Sequence, residues 1–182
     1  MRLGPGGRAM IRPRTPLALL AAPAAVAALA VAASGASAGL PAVPRPPCRA
    51  PSLKASFDVV SGSAGAGHIV YLLRLRNRGP GLCRLTGISR LRLVGRNGAP
   101  LPTRAQPAGG RLLIAPGHLV RSTARFSPDI PSFGEPARRC EPVAYRLRMT
   151  LRPSGDAVTA AVRPRTRVCG RGHMAMRPLQ LR

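Results

Sequence analysis

"YRLRMTLRPSGDAVTAAV", residues 145–162, carries two apolar–polar alternations separated by a turn-forming tetrapeptide. Tyr145, Leu147, Met149 and Leu151 fall on one side of the first run, and Arg146, Arg148, Thr150 and Arg152 on the other. Val158, Ala160 and Val162 repeat the period after Pro153–Asp156. Successive side chains of a strand point to opposite faces, so a period of two marks a half-buried strand. A Pro-Ser-Gly-Asp tetrapeptide is turn chemistry, so the stretch reads as a hairpin.

The same period recurs on either side of it. Leu53, Ala55, Phe57 and Val59 oppose Lys54, Ser56 and Asp58; Ile69, Tyr71, Leu73 and Leu75 oppose Val70, Leu72, Arg74 and Arg76. Leu91 and Leu93 oppose Arg90 and Arg92, and Val120, Ser122, Ala124 and Phe126 oppose Arg121, Thr123 and Arg125. Turn residues punctuate these runs at 77–81, 95–98 and 115–117, and no helical period follows residue 38. About seven to nine short strands at this spacing predict an all-β chain, an immunoglobulin-like antiparallel β-sandwich. The irregular segment 127–140, with Pro128, Pro131 and Pro136, is expected to cross between the sheets.

Residues 1–38 read as a signal peptide: arginines at 2, 8, 12 and 14, an apolar run over 16–33, then Ala-Ser-Ala at 36–38. Met10 offers an alternative start. The rival reading is an N-terminal membrane anchor, because the apolar run is near the lower limit for a span. Its alanine content, Pro23 and the adjoining cleavage pattern favour cleavage after Ala38. A Pro-rich linker (39–47) and one domain (48–182) follow, and the product is expected to be secreted or associated with the cell envelope.

All four cysteines, Cys48, Cys83, Cys140 and Cys169, lie beyond the cleavage site, which reads as two disulfides with three connectivities. Residues paired in a hairpin lie equally far from its turn. A turn near Ser154–Gly155 sets Cys140 opposite Cys169, and one near Gly65–Ala66 sets Cys48 opposite Cys83. The rival is a buried link from Cys48 to Cys140 or Cys169. Cys169 and His173 have a metal-ligand spacing but no second ligand pair, so no metal is expected.

The order of Asn77 and Gly79, then Cys83, Leu85 and Gly87, then Ile114, Pro116 and Gly117, then Cys140 and Cys169 resembles a family of exported actinobacterial domains of unknown function. The resemblance covers 48–182 and implies a four-cysteine β-sandwich without known catalytic residues. Ile88 and Ser89 stand where an aromatic residue and a proline are common in that family, and the chain has no Trp.

Charge is the most unusual feature of the composition. Twenty-nine basic residues against five acids make a net charge of +24, and Lys54 is the only lysine. Codon usage of a high-GC genome explains arginine in place of lysine, but not the scarcity of acids. Guanidinium groups suit bidentate contact with phosphate, sulfate or carboxylate. Arg74, Arg76 and Arg78, Arg146, Arg148 and Arg152, and Arg163, Arg165 and Arg167 form three sets at period two. Neighbouring sets would present an arginine lattice; Arg74, Arg76, Arg146 and Arg148 are the expected anion contacts.

Catalytic chemistry finds little support. Histidines are His68, His118 and His173, and no Gly-x-Ser-x-Gly elbow is present. Gly62 and Gly67 are spaced like phosphate-loop glycines, but His68 and Ile69 follow where Lys and Ser or Thr belong, so a turn is expected. At least four of the aromatics Phe57, Tyr71, Phe126, Phe133 and Tyr145 fall on core faces, leaving no stacking platform for specific nucleic-acid binding. The expectation is a secreted non-catalytic domain without cofactor or evident small-molecule substrate. It would associate with anionic envelope polymers or lipid headgroups through an arginine-rich sheet face. The alternative is an extracellular protein-interaction or adhesion module using the 127–141 loop.

Overall fold

A computed structural model describes residues 44–106, 108–130, 140 and 142–182. The expected leader (1–38), residues 39–43 of the linker, and residues 131–139 and 141 of the 127–141 loop lie outside the described residues. Among the described residues, no helix is long and apolar enough to cross a membrane.

Ten strands are described: β1 (Leu53–Val59), β2 (Ile69–Asn77), β3 (Cys83–Val94), β4 (Arg104–Ala105), β5 (Gly109–Ile114), β6 (Leu119–Phe126), β7 (Ala144–Arg152), β8 (Ala157–Thr166), β9 (His173–Met176) and β10 (Gln180–Leu181). They follow one hydrogen-bonded path, β4-β9-β6-β2-β1-β8-β7-β3-β5, with β10 added on β6. The chain is all-β, as the alternation dictates. Two ladders depart from an antiparallel scheme: β1 pairs with β8, and β4 with β9, in parallel.

Period two explains why the path must curl. Phe57, Tyr71, Leu73, Leu75, Val120 and Phe126 are buried from the β1–β2–β6 half. Leu85, Leu91, Leu93, Leu147, Met149 and Leu151 are buried from the β3–β7 half, and all belong to one core cluster. A sheet with one apolar face can bury it in a single cluster only by folding back over itself.

β8 is where the two halves join. Ala157–Ala161 pair with β7; Val162 and Arg163 swing across to β1; Thr166 then returns to Ala144. Pro164, which has no N–H to give a ladder, sits in that excursion. The detour shifts the register of β7 and corrects one expectation. Ala144 takes the core position, whereas Tyr145 lies half-buried outside it, its ring 4.3 Å beneath the Arg165 guanidinium carbon.

Both disulfides pair as the hairpin geometry predicts: Cys48 with Cys83 and Cys140 with Cys169, their Cα atoms 4.8 and 4.7 Å apart. Leu53 pairs with Asn77 at the open end of the β1–β2 hairpin, and the first cystine lies just beyond. It is seated by the chain ahead of it, since the Arg84 N–H donates to Pro46 O and the Cys48 N–H to Arg84 O. The end of the Pro-rich segment therefore lies along β3.

The glycines at 62–67 form a turn. Gly65 and His68 exchange two backbone hydrogen bonds of 3.0 Å, and Ala66 and Gly67 take φ of 46° and 75°. Positive φ at both central residues matches the twist of the flanking strands.

Candidate functional site

The polar faces of the curled sheet carry the arginines, and strand pairing decides which of them meet. Arg74 and Arg76 lie on β2, Arg146 and Arg148 on β7. β1 and β8 stand between those strands, so the four expected contact residues do not form one lattice.

Around Arg74 the charge is partly met. Its Nη1 donates to Asp58 Oδ2 at 3.0 Å, and its cross-strand neighbour on β6 is Arg121. Arg76 pairs in register with Lys54 and donates from Nε to Gly117 O at 2.8 Å. Arg121 Nε is shielded from solvent without a hydrogen-bond partner among the described residues. Desolvation, with Arg182 and Arg74 nearby, pulls the Arg121 guanidinium down from its ordinary value.

On β3 and β7, arginines gather without an acid, and on β8 Arg163 stands opposite Asp58 of β1. Arg148 of β7 stands opposite Arg92 of β3; Arg146 opposes Val94 and Arg90 opposes Thr150. Arg90, Arg92, Arg148 and Thr150 enclose a shallow hollow of about 210 Å³. A second groove, of about 480 Å³, continues from Arg146 to Arg163, Pro164, Arg165 and Tyr145. The β7 and β8 arginine sets are thus neighbours, and Arg90 and Arg92 extend them onto β3. Of the described acids, Asp58 pairs with Arg74, Asp156 with Arg49, and Asp129 is exposed; none lines either hollow. The alternation of Arg90 and Arg92 with Leu91 and Leu93 is visible in sequence, but nothing local tells which strand flanks them.

A third cleft, of about 700 Å³, contains His68, Arg104, Arg125 and His173 beside Cys169. Its described lining contains no carboxylate, and His118 lies away from it, in the turn after β5. Among the described residues, no group of three His, Cys, Asp or Glu side chains is placed to hold a metal ion. For the 127–141 loop, the alternative contact, the central residues 131–139 lie outside the described residues.

Comparison with known proteins returns one result. The family model of a domain of unknown function, DUF4232, matches residues 48–180. No curated protein and no solved structure matches the chain.

Proposed function

The chain belongs to the DUF4232 family, and from that premise we propose that it is an exported, non-catalytic domain that attaches to anionic components of the cell envelope. The observation that carries this reading is the row Arg90, Arg92, Arg148, Arg146, Arg163 and Arg165, which crosses β3, β7 and β8 and meets an acid only at its β1 end, where Asp58 stands opposite Arg163. Guanidinium groups on alternate residues of one strand repeat every ~6–7 Å. That spacing suits successive charges of a phosphate- or carboxylate-bearing polymer, or the headgroups of an anionic bilayer. Long-range attraction from the large excess of arginine over acids beyond residue 38 would bring such a surface in. Two disulfides and no free cysteine among the described residues fit an oxidising compartment.

The test is retention of the purified protein on isolated envelope material and on anionic vesicles at low and high salt. Retention should fall steeply with salt, and Arg92→Glu with Arg148→Glu should abolish it while the melting temperature holds. Salt-independent retention, or none at low salt, would overturn the reading.

A further inference from the structure

Strand register makes the arginine row a line and not a patch. Across β3, β7 and β8, Arg90 is level with Thr150 and Ala157, Arg92 with Arg148 and Thr159, and Val94 with Arg146 and Ala161. The intervening Leu91, Leu93, Leu147, Met149, Val158 and Ala160 are buried, so these levels share the outward face. The cations therefore pass from Arg90 on β3, through Arg92 and Arg148, to Arg146 on β7 and on to Arg163 on β8, two residues beyond Ala161. Arg152, level with Gly87, leads into Arg90 with its Nη2 leaning toward β3. On either side of the line stand Thr, Ala and Val. A face built for a flat bilayer would gain from cations at those positions too, whereas one oblique line of guanidinium groups fits a single chain crossing the strands.

The spacing of the levels bears on the chemistry of that chain. Successive levels on one strand lie ~6–7 Å apart. Three bonds of an extended chain span at most about 3.3–3.6 Å, so phosphates separated by six bonds, through two ester oxygens and three carbons, reach about 7 Å. Each phosphodiester then meets one level, and Arg92 and Arg148 close on one phosphate from two strands. Phosphates linked through a single oxygen stand too close together to take one level each. The line also moves sideways between strands, by ~4.8 Å each time. The chain must bend between contacts, which an acyclic carbon bridge allows and a succession of sugar rings resists. Tyr145, the aromatic residue beside the line, is half-buried beneath Arg165 and gives no open platform for a base. Asp58, opposite Arg163, is engaged by Arg74 and marks the end of the line.

Resting on the envelope reading above, we propose that the row is the track for one phosphodiester polymer with three-carbon bridges, a polyol phosphate. The levels of Arg90, of Arg92 with Arg148, and of Arg146 each hold one phosphate.

The test is titration of the full chain, at fixed ionic strength, with glycerol phosphate oligomers of two, four and eight repeats. Inorganic polyphosphate and a single-stranded oligonucleotide, each of eight phosphates, and anionic vesicles serve as comparisons. Affinity should rise at least about tenfold from two repeats to four. The eight-repeat oligomer should bind more tightly than polyphosphate or the oligonucleotide. Arg146→Ala with Ala157→Arg keeps the net charge but breaks the line. That variant should lose at least about tenfold for the four-repeat oligomer while keeping its melting temperature and its retention on vesicles. Arg146→Gln with Ala157→Lys serves if the first pair does not fold. Affinity independent of length, equal or tighter binding of polyphosphate or the oligonucleotide, or unchanged affinity in the relocated variant would each overturn the assignment. With salt-dependent retention on envelope material intact, only the polyol phosphate assignment falls; with that retention absent as well, the envelope reading falls with it.

Discussion

Asn77 is the most heavily committed polar side chain in the core. Its Nδ2 donates to Gly81 O at 2.8 Å and Ile114 O at 2.9 Å, and its Oδ1 accepts from the Gly79 N–H at 2.9 Å. It thereby ties the end of β2 to the turn after it and to the end of β5. Asn77→Ala leaves those backbone groups without their partner and should cost about 2–4 kcal/mol in denaturant unfolding. Asn77→Asp should be no better near neutral pH, because a carboxylate would face two carbonyls. Gly87 is constrained differently: its φ is 123°, and a Cβ there would lie 2.7 Å from Ala108 O. Gly87→Ala should destabilise by about 1–3 kcal/mol, measured the same way. Tyr71 packs between Phe57 and Phe126 and donates to Pro164 O at 2.7 Å. Burial pushes its phenol up, outweighing the lowering hydrogen bond with Thr166. A raised folded-state value means that Tyr71 contributes stability in full below the unfolded value of about 10 and loses it as pH rises through the folded value. Unfolding free energy should therefore fall above about pH 10, and Tyr71→Phe should flatten that part of the profile.

Among the elements, the hairpins and the cystines that close them are legible in the sequence. Local alternation sets most of the residues that face inward, and distance from the turn picks out both cysteine pairs, although Cys48 reaches Cys83 through a parallel contact of residues 46–48 with β3 and not through the β1–β2 ladder. By loop entropy each cystine contributes about 3–4 kcal/mol, for sequence separations of 35 and 29. Cys48→Ser with Cys83→Ser should lower the denaturation midpoint by that equivalent, and reductant should bring the wild type down further than this variant. The short strands β4, β9 and β10 are not legible, because two to four residues cannot display a period. β5 escapes for another reason: its Gly-Gly-Arg-Leu-Leu-Ile sequence does not alternate. The excursion in β8 is equally hidden. Nothing in the order of residues 157–166 says that Val162 and Arg163 leave β7 for β1, so alternation alone puts Tyr145 on the wrong face.

Across the whole molecule, charge is arranged at some cost to the fold. Arg92 and Arg148 stand directly opposite each other with no acid in their hollow, and like charges so placed are destabilising. Arg148→Thr should raise stability by about 0.2–1 kcal/mol and weaken retention on anionic vesicles together, read by melting curves and binding on the same preparation. Added salt should raise the wild-type melting temperature more than that of the variant, since screening relieves the repulsion. A variant that gains stability and keeps full retention would place the contact elsewhere.

Local spacing along the chain suffices for the β class, the inward and outward residues of the long strands apart from the start of β7, the two turns and both cystine pairs. These depend on interactions close along the chain or symmetric about a turn. Which arginines are neighbours is settled only by strand pairing. That pairing separates Arg74 and Arg76 from Arg146 and Arg148 by two strands, joins the latter to Arg90, Arg92, Arg163 and Arg165, and sets Arg104 and Arg125 across one cleft. The long strands repeat one apolar-in, polar-out pattern rich in arginine. The order in which they pair is set by long-range packing of the common core, and the pattern within any one strand does not encode it.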